Sequence, residues 1–215
     1  MNNMEWTLDR SEVLRYMGYS GETDAHIVQT AQDAMDRLTA IAQPRYHYVK
    51  LPLDAMTLPG EDICRHLADC DSMVLLCATL GAAVDREIRL AERTSMLTAL
   101  ALDAAAGDGI EKVCDRAEAE IRAREAEHGR FVTGRYSPGY GDLPLTVQRE
   151  LIRLCDAPRR IGLSLTQTNI LIPRKSVTAI LGVSDAPVEG KRRGCVSCRL
   201  RGTCPFRKRG ITCGS

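Results

Sequence analysis

The sequence predicts an α+β fold, with a twisted, mainly antiparallel sheet flanked by helices and a small Cys-rich C-terminal appendage. Helical and strand-like segments occur in clusters along the chain instead of alternating strictly, which is typical of antiparallel sheets. Apolar residues make up 44% of the 215 residues and aromatic residues only 4%, so aliphatic side chains and alanine must fill the core. Charge and cysteine content change abruptly near residue 189, which separates the appendage from the main domain.

The chain begins with two predicted helices. Residues 9–19 form a short helix that Asp9 can cap, because Glu12 follows three positions later as a capping box requires. Residues 24–43 form a longer helix that ends before Pro44. Its apolar residues recur at intervals of three and four and make one stripe: Ile27, Ala31, Ala34, Leu38 and Ile41.

Two strands and a short helix are predicted next. Residues 46–53 combine tyrosines with aliphatic side chains, a composition typical of a strand. Residues 61–68 form a short helix after a Leu-Pro-Gly break that ends at Gly60. Residues 72–79 are a continuous apolar run, which indicates a strand that is buried on both faces.

Helical composition dominates residues 82–127. Gly107 and Gly109 interrupt this region, so we expect two or three helices with a break near these glycines.

The last part of the main domain combines turns, a helix and two strands. Residues 131–141 are rich in turn-forming residues, and residues 146–155 predict a helix with one apolar side. Residues 161–171 and 176–183 are predicted strands, joined by a Pro-containing connection.

Charge divides the chain into two regions. Residues 189–215 hold eight Lys or Arg and one Glu, a net charge of +7, whereas residues 1–188 hold 21 basic and 27 acidic side chains, a net charge of −6. We therefore expect a main domain at 1–188 and a basic, Cys-rich tail at 189–215.

The sequence also predicts where the protein resides and which chemistry it lacks. No apolar run approaches the roughly 20 residues of a membrane span, and residues 1–10 are polar, without a secretory signal, so we expect a cytoplasmic protein with reduced thiols.

The four histidines form no His-Glu-x-x-His pattern, and neither a Gly-x-Ser-x-Gly elbow nor a phosphate-binding loop is present. Five of the nine cysteines are scattered and are expected to be ordinary buried thiols: Cys64, Cys70, Cys77, Cys114 and Cys155.

The other four cysteines, which all lie in the tail, predict a metal site. Cys195, Cys198, Cys204 and Cys213 follow a spacing of two, five and eight intervening residues, and two thiolates two residues apart bind one metal without strain. Both a structural zinc and an iron–sulfur cluster fit four thiolates, and a tail of free cysteines is the alternative. The basic tail could also dock an acidic electron donor such as flavodoxin or ferredoxin.

The segment from Arg135 to Gly141 is the best candidate for a ligand site. Its proline and two glycines permit backbone geometries that bring amides and carbonyls close to a ligand. Arg135 offers a fork of donors suited to a carboxylate, and Tyr140 adds a ring and a hydroxyl. These residues suit a zwitterionic amino acid that bears a flat heterocycle. A tight turn between a strand and a helix is the alternative interpretation.

The Arg-x-x-x-Gly-Tyr pattern at Arg135, Gly139 and Tyr140 resembles the S-adenosylmethionine signature of the activation domain of cobalamin-dependent methionine synthases. The resemblance covers residues 135–183 best, is faint over residues 1–130 and ends before the tail. Three further segments carry it: Gly162-Leu-Ser-Leu-Thr-Gln-Thr, Pro173-Arg-Lys-Ser-Val-Thr-Ala-Ile and the helical Ala31-Gln-Asp-Ala-Met-Asp-Arg-Leu.

The resemblance implies roles for individual residues. Arg135 would pair with the carboxylate of S-adenosylmethionine, while the backbone around Ser137, Gly139 and Tyr140 would hold the adenosine. Acidic side chains from distant helices would assist with the amino group, and the candidates are Asp33, Asp36 and Glu111. For these acids a solvated helix face is the alternative, and for Tyr140 a packing role.

The resemblance also implies a function, namely a stand-alone subunit that binds S-adenosylmethionine and supports reductive methylation of inactive cob(II)alamin in a cobalamin-dependent methionine synthase. The chain lacks the Asp-x-His-x-x-Gly stretch of a corrinoid-binding module, so the cobalamin is expected to arrive on a partner protein. One alternative is an activator of another corrinoid methyltransferase. A second is a zinc-containing nucleic-acid-binding protein, although the body is acidic and Phe206 is the only aromatic residue of the tail.

Overall fold

The computed structural model describes residues 7–19 and 23–188, together with residues 202, 203 and 207. The described part contains one four-stranded antiparallel sheet, one two-stranded hairpin and helices on both faces of the sheet. This architecture confirms the predicted α+β class. The predicted metal ligands Cys195, Cys198, Cys204 and Cys213 lie outside the described residues.

The sheet has the strand order β1–β2–β6–β3, and every neighbouring pair is antiparallel. The remaining two strands form the hairpin β4–β5. The strands are β1 (Arg45–Pro52), β2 (Ser72–Thr79), β3 (Phe131–Val132), β4 (Ser164–Leu165), β5 (Leu171–Ile172) and β6 (Ser176–Ser184).

Seven helices belong to the described residues, besides two short 3₁₀ turns. The N-terminal pair confirms the prediction, because Asp9 and Asp24 each cap the first turn with their side chains. The helices are α1 (Arg10–Tyr16), α2 (Ala25–Ile41), α3 (Glu61–His66), α4 (Ala82–Glu92), α5 (Met96–Ala126), α6 (Gln148–Leu154) and α7 (Ala157–Ile161).

Strand β2 lies inside the sheet and is buried on both faces, as its continuous apolar sequence predicted. Met73, Leu75 and Cys77 pack with residues of α3, α6 and α7. Val74 and Leu76 pack on the opposite face against α5. Each aliphatic side chain buried in this way stabilises the fold by about 1.5–3 kcal/mol.

The predicted break near Gly107 and Gly109 is wrong. Helix α5 runs for 31 residues through both glycines, and the chain is interrupted before it, where Ser95 caps the helix by accepting a hydrogen bond from the amide of Thr98. A glycine costs a helix only about 1 kcal/mol, and the packing of α5 on three other helices and the sheet outweighs that cost. None of the helices in the described ranges is long and apolar enough to span a membrane.

The predicted strand over residues 161–171 is also wrong. The segment begins with the last residue of α7 and continues as the small hairpin β4–β5. Asn169 adopts a left-handed conformation with φ of 62°, and the Thr166 side chain accepts a hydrogen bond from the amide of Ile170. These polar turn residues close the hairpin, so one continuous strand cannot form.

The scattered cysteines are free thiols, and only some of them are buried. Cys77, Cys114 and Cys155 lie in the core as predicted. Cys64 is exposed and Cys70 is half-buried, so the prediction is wrong for these two because both belong to the solvent-facing region around α3.

Candidate functional site

Arg135 lies where the chain leaves β3 and continues beside β6. The next residue, Tyr136, pairs with Ile180 of β6 through two backbone hydrogen bonds of 2.9 and 2.8 Å. This pairing fixes the backbone beside Arg135, whose side chain is only 1% exposed and reaches α5. The segment is therefore an extension of the sheet that leads into a loop.

Three carboxylates on successive turns of α5 surround the guanidinium of Arg135. Nη2 donates to Glu111 Oε2 at 3.1 Å and to Asp115 Oδ1 at 2.6 Å. Nε lies 3.3 Å from Glu118 Oε2. Because residues four and three positions apart share one face of a helix, α5 presents all three acids to the same cation.

The guanidinium is charged and has donors left over. Burial lowers the pKa of Arg135, but attraction by Cys114, Glu111, Asp115 and Glu118 outweighs it, so the pKa lies above its ordinary value. Nη1 and Nε are buried, and neither has a hydrogen-bond partner among the described residues. A buried donor without a partner costs free energy, and a ligand oxygen would remove that cost.

The loop after Arg135 is a compact turn with its own hydrogen bonds. The amide of Tyr140 donates to Ser137 O at 3.1 Å, and the amide of Gly139 donates to Leu143 O at 2.8 Å. The hydroxyl of Tyr136 donates to Tyr140 O at 3.3 Å. These bonds hold the loop in one conformation.

Gly141 is required by both its conformation and its surroundings. Its φ is +57°, and a Cβ at this position would lie 2.1 Å from Tyr136 Oη and 2.4 Å from Asp62 Oδ2. Gly139 also has a positive φ, of +91°. At Gly141 the close approach of the backbone is made to the protein itself, and the predicted approach to a ligand stays a prediction.

Asp142 attaches the loop to the beginning of α3. Its carboxylate accepts hydrogen bonds from the amides of Glu61 at 2.7 Å and Asp62 at 3.2 Å. Desolvation raises the pKa of Asp142, but the bonds from these amides outweigh it and lower the pKa below its ordinary value. On the α3 side of the loop, an open cavity of about 670 Å³ is lined by Gly60, Glu61, Cys64, Arg65 and Asp142.

The structure brings some of the predicted site residues together and separates others. Glu111 contacts Arg135 directly. Ser137 and Gly139 form the loop with Tyr140, whose side chain is 69% exposed.

The two predicted acids of α2 lie elsewhere. Asp33 and Asp36 are exposed, and each accepts a hydrogen bond from a glutamine one turn earlier, Gln29 and Gln32. Neither pairs with Arg135, so their assignment to the ligand stays a prediction.

Sequence reasoning missed Asp115 and Glu118. The signal was available, because Glu111, Asp115 and Glu118 recur at intervals of four and three and therefore lie on one helix face. What the sequence could not show is that this face of α5 meets Arg135.

Comparison with solved structures identifies a similar fold. The structure resembles the crystal structure of the MetH reactivation domain bound to AdoHcy, with a TM-score of 0.64 and 15% sequence identity over 95% of this chain and 82% of that chain. The chain has the reactivation-domain fold. This likeness confirms, at the level of the fold, the resemblance carried by Arg135, Gly139 and Tyr140. No protein-family model matches the chain, and no curated protein is significantly similar to it.

Proposed function

We propose that this protein binds S-adenosylmethionine and serves as a reactivation subunit for a cobalamin-dependent methionine synthase. One observation carries the proposal. A buried guanidinium with unbonded donors lies beside a glycine-shaped loop, on the fold of a domain whose crystal structure contains AdoHcy.

The residues present fit an amino-acid ligand. Arg135 would bind the ligand carboxylate through Nη1 or through Nη2, whose present partners are Glu111 and Asp115. Glu111 and Asp115, released in whole or in part, would accept hydrogen bonds from the ligand ammonium. The backbone of Ser137, Gly139 and Tyr140 would face the adenosine, with the exposed Tyr140 ring available for stacking.

The task of these residues is positioning. When bound, S-adenosylmethionine would supply the methyl group for the cobalt of a corrinoid that the partner carries. Arg135 and the loop would hold the ligand in one orientation, and no general base is required. The loop suits this role because Asp142 and the hydroxyl of Tyr136 fix its conformation from two sides.

Replacement of Arg135 tests ligand binding. Arg135→Ala removes a charge-assisted bond that is typically worth about 1.5–3 kcal/mol, so the affinity for S-adenosylmethionine should fall roughly tenfold to a hundredfold. Isothermal titration calorimetry measures this change. Arg89→Ala, which removes an exposed arginine of α4, is the matched control and should bind as the wild type does.

Loss of fold must be separated from loss of binding. Arg135→Lys keeps the positive charge between the three acids but lacks the planar fork, so it should fold and still bind weakly. Thermal unfolding of each variant shows whether it is folded. A folded Arg135→Lys or Arg135→Ala variant with wild-type affinity would contradict the proposal.

A reconstituted reaction tests the partner. The protein is mixed with a methionine synthase that lacks its own activation domain, S-adenosylmethionine and reduced flavodoxin, and the visible spectrum follows conversion of cob(II)alamin to methylcobalamin. A second arm uses another corrinoid methyltransferase. Formation of methylcobalamin in the second arm alone would show that the partner is another corrinoid methyltransferase and not methionine synthase. Formation of methylcobalamin in neither arm would contradict the reactivation role.

The tail adds a separate proposal that rests on its sequence. Cys195, Cys198, Cys204 and Cys213 would bind zinc or an iron–sulfur cluster, and the basic charge around them would attract an acidic electron donor such as flavodoxin or ferredoxin. Metal analysis and a visible spectrum of anaerobically purified protein distinguish zinc from iron. A folded, colourless and metal-free protein would exclude both.

A further inference from the structure

We propose that Arg122 is a positioning residue for the ligand site, which acts on Arg135 through Glu118 and through the backbone that precedes Arg135. Arg122 does not touch the ligand itself. Its task is to keep the Arg135 guanidinium available to the ligand carboxylate. The inference rests on the proposed function and adds a residue that the sequence pattern did not assign to the site.

Arg122 joins helix α5 to the end of the strand that leads to Arg135. On the helix, its Nε and Nη2 donate to Glu118 Oε1 at 3.1 and 2.7 Å. On the strand, Nη1 donates to Val132 O, and Nη2 donates to Thr133 O at 2.8 Å. A single guanidinium therefore ties an acid of α5 to the backbone carbonyls directly before the segment that carries Arg135.

The regular pairing of the sheet changes at Thr133, whose carbonyl bonds to Arg122. In the hydrogen-bonded pairs of an antiparallel ladder, each residue donates to and accepts from the backbone of its partner. The amide of Thr133 donates to Gly182 O at 2.9 Å, but the amide of Gly182 donates to the Thr133 side-chain hydroxyl at 2.8 Å. Arg122 thus holds the strand at the point where it departs from the ladder, shortly before Arg135.

Glu118 is shared by two arginines through different oxygen atoms. Oε1 accepts from Arg122, while Oε2 lies 3.3 Å from Arg135 Nε. The Glu118 side chain is only 19% exposed, so solvent screens these pairs incompletely. Because Arg122 holds one oxygen, the carboxylate keeps one orientation and divides its attraction between two cations. Nη1 of Arg135, which has no hydrogen-bond partner among the described residues, stays open to a ligand carboxylate.

Loss of Arg122 would turn Glu118 from a support into a competitor. Without its second cation, Glu118 could turn both oxygens toward Arg135, and its charge would oppose an incoming ligand carboxylate. The strand before Arg135 would also lose the hydrogen bonds to its carbonyls. The pairing of Tyr136 with Ile180 would still hold the loop that follows, so the loss should be confined to the carboxylate end of the ligand.

Calorimetric titration of two ligands tests this role. The ligands are S-adenosylmethionine and its decarboxylated form, which keeps the adenosine, the sulfonium and the amine. In Arg122→Ala, the affinity for S-adenosylmethionine should fall roughly threefold to tenfold, because residues of one hydrogen-bond network couple with energies of this order. The affinity for the decarboxylated form should stay as in the wild type. A purely structural role of Arg122 would instead weaken the binding of both ligands.

Arg124→Ala is the matched control. Arg124 lies on the same helix and pairs with the acid one turn earlier, Glu120, as Arg122 pairs with Glu118. Glu120 accepts hydrogen bonds from side chains of β1 and does not pair with Arg135. The control removes the same charge and an ion pair of the same spacing, so it should change neither affinity.

A double-mutant cycle shows whether Arg122 acts through Arg135. In an Arg135→Ala background, Arg122→Ala should cause no further loss of affinity for S-adenosylmethionine, because the group that Arg122 positions is absent. An equal loss in the presence and in the absence of Arg135 would mean that Arg122 acts by another route, and it would overturn the positioning role.

The results separate the two proposals. A wild-type protein that does not bind S-adenosylmethionine overturns both the proposed function and the positioning role. If the wild type binds, a folded Arg122→Ala variant with unchanged affinity, or with equal losses for both ligands, overturns the positioning role alone. If thermal unfolding shows that Arg122→Ala is not folded, Arg122→Gln decides by the same criteria, because glutamine can still donate to the carbonyls but carries no charge.

Discussion

At the scale of single residues, Arg135 and Gly141 show two different relations between sequence and site. Arg135 is recognisable as a carboxylate anchor from its residue type, yet its burial and its three acidic partners come from α5. Gly141 is recognisable as a turn residue, and the structure shows that the Tyr136 hydroxyl and Asp62 occupy the space a side chain would need. The geometry of the loop therefore depends on Gly141 through its contacts within the protein.

Gly141→Ala should destabilise the protein and weaken ligand binding. The new methyl group would lie 2.1 Å from Tyr136 Oη, in a backbone conformation that alanine disfavours. We expect a loss of about 1–3 kcal/mol in the free energy of unfolding, measured by urea denaturation.

Gly129→Ala is the matched control for that substitution. Gly129 also has a positive φ, of +70°, but no described atom lies within 4 Å of the position that a Cβ would take there. The control therefore carries the conformational cost without the clash and should lose less stability. An equal loss of stability in Gly141→Ala and Gly129→Ala would mean that the loop around Gly141 rearranges to accommodate the added methyl group.

At the scale of secondary structure, α5 is the element that organises both the core and the site. One face of the helix packs against the sheet and the other helices through small and aliphatic residues. A neighbouring face carries Glu111, Asp115 and Glu118 to Arg135. A break at Gly107 would have moved these acids relative to the sheet, so continuity of the helix is a condition of the site.

Gly107→Ala should stabilise the protein. The glycine is helical, and a Cβ would meet only the Tyr16 ring, at an ordinary contact distance of 3.9 Å. Alanine restricts the unfolded chain and favours the helix, so the free energy of unfolding should rise by about 0.5–1 kcal/mol. A lower free energy of unfolding than in the wild type, measured by urea denaturation, would show that α1 cannot accommodate the added methyl group.

At the scale of the whole molecule, a polar contact joins β1 to α5 at the edge of the sheet. Tyr46 and Tyr48 both donate hydrogen bonds to the carboxylate of Glu120, the latter at 2.9 Å. Burial, followed by the hydrogen bond and the charge of Glu120, raises the pKa of Tyr48 from 10.0 to about 12. The hydrogen bond from Tyr46 is the main cause that lowers the pKa of Glu120.

This contact predicts how stability responds to alkaline pH. The unfolded chain releases the Tyr48 proton near pH 10, whereas the folded protein keeps it until about pH 12. The folded state binds more protons in that interval, so the free energy of unfolding falls as the pH rises through it. In the Tyr48→Phe variant, the free energy of unfolding measured by urea denaturation should fall less steeply with rising pH than in the wild type. An equally steep fall in both proteins would show that Tyr48 does not contribute to this pH dependence.

The sequence by itself determined the local order of this protein. The α+β class, the capped helices α1 and α2, the buried strand β2 and the strand β6 follow from periodicity and composition, which act within a few residues. The same local chemistry marks Arg135 and the loop through Gly141 as unusual. The cysteines of the tail, by contrast, remain a prediction from spacing alone.

Tertiary structure decided the parts that depend on distant residues. The packing around α5 decided that the helix continues through Gly107. The turn between β4 and β5 decided that residues 161–171 do not form one continuous strand. The partners of Arg135 lie between 17 and 24 positions away in the chain, and Asp142 reaches a helix that begins about 80 residues earlier. Such contacts form only when the whole core packs together. They therefore depend on the free energy of the complete fold, which cannot be predicted from any single segment of the sequence.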